Sequence, residues 1–321
     1  MQKPLIMITL IQLEYIVAVE KFKNFVKASE ACFVTQPTLS MQIKKLEEDL
    51  GVVIFDRTKK PVIPTEVGRK IIEQGKLVLH HSRRISEIIE VFHQRISGKM
   101  RIGIIPTLAP YLLPRFAGNF KKKYPEVQFS IREMITEKIA EDLLNDKLDA
   151  GIFVTPYHDS RFKEWPIFYE EMKIYASADH RLINKTEILI KDVETPEIWL
   201  LSDGHCFRDQ VINLCSIPEN AESDLPFEFE GGSLDTLMKI IDKEGGFTLL
   251  PEIAVMDLPD SKQHQIRSFD NYKPLREVSL IFSRNFAKDR LIKLLFKEVQ
   301  SCVPEFMHNK DRGSIVEWRE G

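Results

Sequence analysis

Apolar residues in the first third of the chain recur at helical spacing. Leu13, Ile16 and Val17 mark one face of a first helix, and Phe25, Ala28, Ser29 and Cys32 follow the i, i+3, i+4, i+7 template of a second. The second stops around Cys32-Phe33-Val34, and a third starts at once. Thr35 is a good N-cap for it, because a hydroxyl there can accept from a free N–H of the first turn, and Pro37 sits where a missing N–H costs nothing. Leu39, Ile43, Leu46 and Leu50 form the apolar stripe of this helix and Gly51 ends it. Val52–Phe55 and Pro61–Pro64 flank Asp56–Lys60, which predicts a hairpin wing with a basic tip. From Thr65 to about Gln94 the pattern predicts one long helix. Ile71, Val78, Ile85 and Phe92 repeat in it every seventh residue, and Ile88 and Ile89 widen the stripe. A strict period of seven favours a seam between two chains. An amphipathic helix packed on its own chain stays open, and Gly75 and His81 fall at or near the seam.

After Ser97-Gly98 the pattern changes to strands alternating with helices. Strands are predicted at 100–105, 127–133 and 148–154, with helices over 112–123 and 136–145 between them. Further strands fall near 173–176, 198–201, 247–250 and 277–282, with helices near 206–214, 233–242 and 290–299. Such alternation implies a parallel sheet with right-handed crossovers, and ligand sites at the carboxyl ends of its strands. Thr107, Thr136, Ser202 and His205 all sit just past strand ends. The fold class expected is α+β multidomain: a winged helix-turn-helix over 1–65, a linker and dimerisation helix over 66–96, and a two-lobed α/β regulatory domain of periplasmic-binding-protein type. Lobe I takes 97–168 and 276–302, lobe II takes 169–275, and 303–321 form a C-terminal tail.

The formal net charge of −3 gives no global hint of a polyanionic partner, and residues 1–65 carry nine basic against seven acidic side chains. Nucleic-acid binding therefore rests on pattern. Two short helices joined by a tight turn, the second polar at its N-terminal end, fit a helix-turn-helix. Gln36, Thr38, Ser40 and Gln42 would reach base edges beside Thr35 and Pro37, while Lys44 and Lys45 suit phosphates. A small helical domain with a solvated polar face fits the same pattern. No uncharged apolar run approaches the ~20 residues that span a bilayer, and no signal peptide is evident, so a cytoplasmic protein without membrane contact is expected.

The order and spacing of Phe25–Ala31, Thr35–Ser40, Ile43–Glu47, Leu50–Val52, Phe55–Arg57 and Pro64–Gly68 resemble the DNA-binding module of LysR-type transcriptional regulators. The resemblance implies that Gln36, Thr38 and Ser40 face the major groove of double-stranded promoter DNA. It also implies that Arg57 and Thr65 contact the backbone. Ser29 departs from the alanine many members carry.

Four cysteines, Cys32, Cys206, Cys215 and Cys302, with no CxxC pair, make neither a disulfide framework nor a zinc site. Cys206 opens a predicted helix, where the dipole and free N–H groups stabilise a thiolate, and His205 and Arg208 would add donors or charge. Asp209 opposes this unless it is paired. Cys215 lies nine residues on, about 13 Å of helical rise away and on the opposite face. A disulfide needs Cα atoms within about 7 Å, so the helix between the two would have to unwind. Two buried cysteines acting as small hydrophobes fit the composition equally well.

Ile104–Pro114, Asp203–Gln210 and Thr248–Pro251, with the nine-residue step between the cysteines, resemble the hydrogen-peroxide-sensing members of the same family. That resemblance implies that Cys206 attacks peroxide, that Cys215 resolves it, and that Thr107, Thr136, His205 and Arg276 position peroxide and its leaving oxygen. It implies no metal or organic cofactor, a homo-oligomer built as a dimer of dimers, contacts with RNA polymerase, and control of peroxide-defence genes. Glu219–Phe229 departs from the family pattern. Two rivals stand beside this reading. One is a regulator of the same fold answering to a small organic anion in the cleft. The other is a thiol peroxidase, which an N-terminal DNA reader argues against.

Overall fold

The structure, a computed structural model, describes residues 7–92, 96–216, 225–227, 229–284 and 289–317. The chain forms two compact units, Met1–Arg95 and Ile96–Gly321.

In the first unit α1 spans Leu10–Phe22, α2 Phe25–Ala31 and α3 Gln36–Leu50. Each begins on a side-chain cap: Thr9, Asn24 and Thr35 accept from backbone N–H groups of their own first turns. Gly51 closes α3 in the left-handed region at φ 67°, where a side chain would be strained. Two short antiparallel strands, β1 (Phe55–Asp56) and β2 (Ile63–Pro64), make the wing. Ile16, Ala28, Leu39, Ile43 and Phe55 are buried together as its core. Gly68, in the first turns of α4 (Glu66–Phe92), passes so close to the Ile54 carbonyl that an added Cβ would lie 2.1 Å from its oxygen. Only glycine allows that close approach of the long helix to the wing.

α4 presents Ile72, Gly75 and Leu79 inward. Gly75 therefore belongs to the contact with α1, where Leu13 lies 3.2 Å from the position of an added Cβ, and not to the seam the heptad count gave it. Val78 and Ile85, two members of that heptad, are 47% and 63% exposed. The side chains of Ile88, Ile89 and Phe92, and residue Gln94, lie outside the described set.

The second unit runs β3 (Gly98–Ile104), α5 (Ala109–Lys123), β4 (Val127–Glu133), α6 (Thr136–Leu144), β5 (Ala150–Thr155) and β6 (Phe162–Ala176). It continues with α7 (Cys206–Cys215), α8 (Leu234–Glu244), β7 (Phe247–Pro251), α9 (Glu252–Met256), α10 (Asp260–Gln263) and β8 (Ile266–Arg267). β9 (Pro274–Ser283), α11 (Asp289–Ser301) and β10 (Ser314–Ile315) complete it. Strand order is β4-β3-β5-β9-β6-β7, with β10 on β9 and β8 on β6. The sheet is mixed, which corrects the parallel expectation. Among the described strands β4-β3-β5 and the β10–β9 pair are parallel, while β9 runs antiparallel to both β5 and β6. The cause is β6, a 15-residue strand whose first part pairs with β9 and whose end, Met172–Ala176, pairs with β7. One strand thus passes from one half of the sheet to the other. The strand expected over 198–201 is reduced to a single bridge, Ile198 to Phe247. Beyond Trp199 the backbone turns away, and Ser202 N–H donates to Gly231. Among the described residues no helix is long and apolar enough to cross a membrane.

Candidate functional site

Thr107 lies in the turn after β3, Thr136 is the first residue of α6 after β4, Cys206 is the first residue of α7, and Arg276 lies on β9. The carboxyl ends of two adjacent parallel strands thus face the start of the cysteine helix. Thr107, Thr136, His205 and Cys206 line one tight pocket with Ile105, Pro106, Ile135, Gly204 and Phe207, closed in this structure to a water-sized molecule. Arg276 enters from the sheet. Its Nη2 donates to Thr107 Oγ1 at 3.0 Å, and its guanidinium lies over the Phe207 ring at 4.7 Å. Its cross-strand neighbour Glu170 places Oε1 3.1 Å from Nη1, while Glu170 Oε2 accepts from Ile253 N–H at 3.2 Å. Glu170 and Arg276 are both fully buried.

This cluster holds unspent hydrogen-bonding capacity. Among the described residues Thr136 Oγ1, Arg276 Nε and Nη1, and Glu170 Oε1 make no hydrogen bond of ordinary geometry. The Arg276–Glu170 approach is a Coulombic pairing of misaligned groups, and Thr136 lies against the Cys206 sulfur without an aligned bond to it. Buried donors and acceptors are nearly always paired, so several left open beside one thiol call for an explanation in the chemistry of the site.

The resting thiol is not the acidic one expected from its place at a helix N-terminus. Burial pushes the Cys206 pKa up, and the positive charge of Arg276 and the Thr136 hydroxyl pull against that without prevailing, with Glu137 and Asp209 adding to the rise. The two neighbours expected to supply charge do not. Burial pushes His205 down, toward neutral imidazole. Arg208, two residues on and so on the far face of the helix, pairs with Asp203 at 2.9 Å and donates to the Leu201 carbonyl at 3.0 Å. The cation at the thiol is Arg276.

Cys215 ends α7, buried and free, its thiol pushed up to about 12 by burial and by Glu194. α7 is continuous from one cysteine to the other. Cys32 is half-buried at the end of α2, and Cys302 donates to the Val299 carbonyl. Among the described residues no group of three or more His, Cys, Asp or Glu is placed to hold a metal ion. Glu170 escaped sequence reasoning. Its signal was an acidic pair, Glu170-Glu171, directly after the apolar run Trp165–Tyr169 of its strand. The stretch Glu219–Phe229 lies mostly outside the described residues. Beside the thiol pocket opens a cleft of about 480 Å³, lined by Tyr111, Glu133, His205 and Asp235 among others, with no Lys or Arg among the described lining residues.

On the first unit Gln36, Pro37 and Thr38 are exposed at the start of α3, as are Lys44 and Lys45 farther along, while Ser40 and Gln42 are half-buried. Thr35 and Thr38 hydroxyls meet at 2.8 Å. Arg57 is engaged inside the unit, donating to Glu47 at 2.9 Å and Ser40 at 3.3 Å and lying over Phe25. Thr65 gives its hydroxyl hydrogen to the Val53 carbonyl and accepts from Gly68 N–H, which caps α4. Both residues thus have structural work where the resemblance implied backbone contacts.

Residues 10–69 match the family described as bacterial regulatory helix-turn-helix protein, lysR family, and residues 93–302 match the LysR substrate binding domain. The chain is similar to the hydrogen peroxide-inducible genes activator of Dickeya chrysanthemi, 34% identical over 276 residues covering 84% of this chain and 88% of that one. It is 33% identical over 272 residues to the DNA-binding transcriptional dual regulator OxyR of Escherichia coli, with 84% and 88% covered. Among solved structures a full-length OxyR variant from Pseudomonas aeruginosa matches with a TM-score of 0.76 at 30% identity, covering 95% of this chain and 98% of that one. OxyR from Porphyromonas gingivalis matches at 0.63 and 30% identity, covering 69% and 100%.

Proposed function

The chain belongs to the LysR family of bacterial helix-turn-helix regulators, and from that premise we propose that it is a transcription regulator that senses hydrogen peroxide through Cys206 and Cys215. The observation that carries the reading is the open hydrogen-bonding capacity of Thr136 and Arg276 around a buried thiol. Peroxide is small, uncharged and rich in donors and acceptors, as such a pocket requires. The Cys206 thiolate attacks one oxygen, the O–O bond breaks, and the leaving hydroxide, protonated to water, departs past Thr107 and Arg276. Cys206 is then a sulfenic acid. Cys215 attacks that sulfur, the S–OH bond breaks, a second water leaves, and a disulfide remains. Because α7 separates the two sulfurs by about 13 Å of rise, the disulfide requires α7 to unwind. That order–disorder step is the signal passed to the DNA-binding unit.

On this reading the protein acts as a homo-oligomer, a dimer of dimers, on double-stranded promoter DNA in the cytoplasm. It contacts RNA polymerase and performs no turnover of its own. The acidic lining of the neighbouring cleft, Glu133 and Asp235 with no Lys or Arg among the described lining residues, disfavours the rival in which a small organic anion is the effector. The test is to select DNA from a random pool with the reduced protein and footprint it before and after brief peroxide treatment. The footprint should change in wild type and stay fixed in Cys206→Ser; an identical change in both removes Cys206 from the sensing role.

A further inference from the structure

Arg276 is a single buried cation facing two acids. Glu170 meets it from β6, and Arg276 is also the positive charge acting on Cys206. The other groups around the pair are divided. Glu170 is faced by Glu252 and the Ile253 N–H of α9 and lies near Tyr111 of α5, while Cys206 is faced by Thr136 and Glu137 of α6 and by Asp209 of its own helix. Among the described residues, Arg276 is the cation common to both. A buried guanidinium balances one anion, and a second left without a partner is costly. Burial has already pushed the Glu170 carboxyl up to about 7, against the pull of Arg276 and Ile253 N–H.

We propose that Glu170 is a positioning residue for the thiol chemistry: Glu170 and Cys206 share Arg276 as one counter-ion, so that the thiol ionises more readily when Glu170 holds a proton. The charges balance in both states. Arginine cation, carboxylate and thiol sum to zero, as do arginine cation, carboxylic acid and thiolate, the thiol proton leaving to solvent and the carboxyl proton arriving from it. The open Nε and Nη1 of Arg276 are the donors the thiolate would claim. The inference rests on Cys206 being the reactive thiol, but not on peroxide being its oxidant.

The experiment is a pH titration of Cys206 in the reduced full-length protein, followed by the alkylation rate of its peptide, in wild type and Glu170→Gln. Removing the competing carboxylate should lower the apparent thiol pKa by about one unit, roughly tenfold more thiolate at a given pH below the midpoint. An unchanged midpoint in folded Glu170→Gln overturns the proposal. If that variant does not fold, the reciprocal measurement decides. With ¹³C-labelled glutamate, the infrared band of the protonated carboxyl should persist about one pH unit higher in Cys206→Asp, which fixes a negative charge at the thiol, than in Cys206→Ser. Equal midpoints overturn it. Neither readout uses peroxide, so failure of the sensing reading and failure of this one remain distinguishable.

A different part of the chain supports a second inference. Residues 303–317 lie beyond the matched family span, yet they are folded onto the second unit, with Met307 and Val316 buried. Arg312 donates to Glu252 at 2.9 Å, and Ser314 and Val316 N–H groups donate to Lys273 and Leu275 carbonyls, each at 2.9 Å. The end of this strap grips α7: Gln210 Nε2 donates to the Val316 carbonyl at 2.6 Å and Asn213 Nδ2 to the Glu317 carbonyl at 3.1 Å. We infer that the C-terminal strap holds α7 wound and so slows closure of the disulfide. In the full chain, Val316→Pro removes the N–H that docks the strap, and Asn213→Ala, an exposed site, removes one grip. Amide exchange over residues 206–216 of the reduced protein should rise roughly tenfold in the double variant, from two lost neutral hydrogen bonds. Disulfide closure after peroxide should quicken with it. Unchanged exchange overturns the inference; faster exchange without any disulfide sustains the strap and refutes the sensing reading.

Discussion

Replacing Thr107 by valine keeps the shape of the side chain and deletes one oxygen. That oxygen is the acceptor for Arg276 Nη2 at 3.0 Å, in a place only 2% exposed, so no solvent replaces it. A hydrogen bond to a charged group contributes about 1.5–3 kcal/mol, and leaving the buried guanidinium short of an acceptor forfeits that sum. For a unit of this size each kcal/mol moves the melting point by ~2–4 °C, which predicts a fall of roughly 3–12 °C. Trp165 and Trp199 lie in the same unit, and Trp199 is fully buried, so their fluorescence in a urea titration reports the loss. The control is Thr107→Ser, which keeps the oxygen and removes a methyl worth about 0.8 kcal/mol. Because Thr107 also orients Arg276 toward the thiol, the peroxide rate of the valine variant should fall about tenfold or more, with the serine variant near wild type. A valine variant within ~0.5 kcal/mol of wild type and equally fast would refute the idea that this hydrogen bond organises the site.

Three further outcomes follow from other parts of the molecule. Lys44→Ala with Lys45→Ala should weaken DNA binding across sequences and reduce the slope of log affinity against log salt by about 2, measured by fluorescence anisotropy; an unchanged slope places the phosphate contacts elsewhere. Val78→Glu with Ile85→Glu, both exposed within one chain, should weaken self-association in sedimentation velocity without lowering the melting point of the isolated chain. His205 has a folded pKa below its ordinary value because of burial, so its contribution to stability is present above about pH 6.5 and lost as pH falls through the folded value. The stability difference between wild type and His205→Gln should therefore grow as pH rises through that window in denaturant titrations, and a flat difference would show that His205 is not desolvated.

What could be read from sequence and what could not divides along the range of the interactions. The cap at Thr35, the stripe Leu39–Ile43–Leu46 and the stop at Gly51 are local and were all legible. So was the nine-residue step between Cys206 and Cys215, with its geometric consequence. The acidity of Cys206 was misread because the helix N-terminus is visible in sequence while the burial that opposes it is a tertiary property. Arg276 meets Thr107 across 169 residues, a contact no periodicity encodes; only the family resemblance pointed to it. Glu170 was missed for the same reason, since its meaning comes from a strand that arrives a hundred residues later. Gly75 packs on Leu13 and Ile16 of α1, a neighbour that a count along one helix cannot see.

Non-reducing peptide mapping by mass spectrometry, after brief exposure of the reduced protein to near-stoichiometric hydrogen peroxide, tests whether Cys206 and Cys215 form the switch. A Cys206–Cys215 cross-linked peptide should form that dithiothreitol reverses and that is lost in either single cysteine variant. Both thiols remaining free, in protein that still binds its DNA, would contradict it.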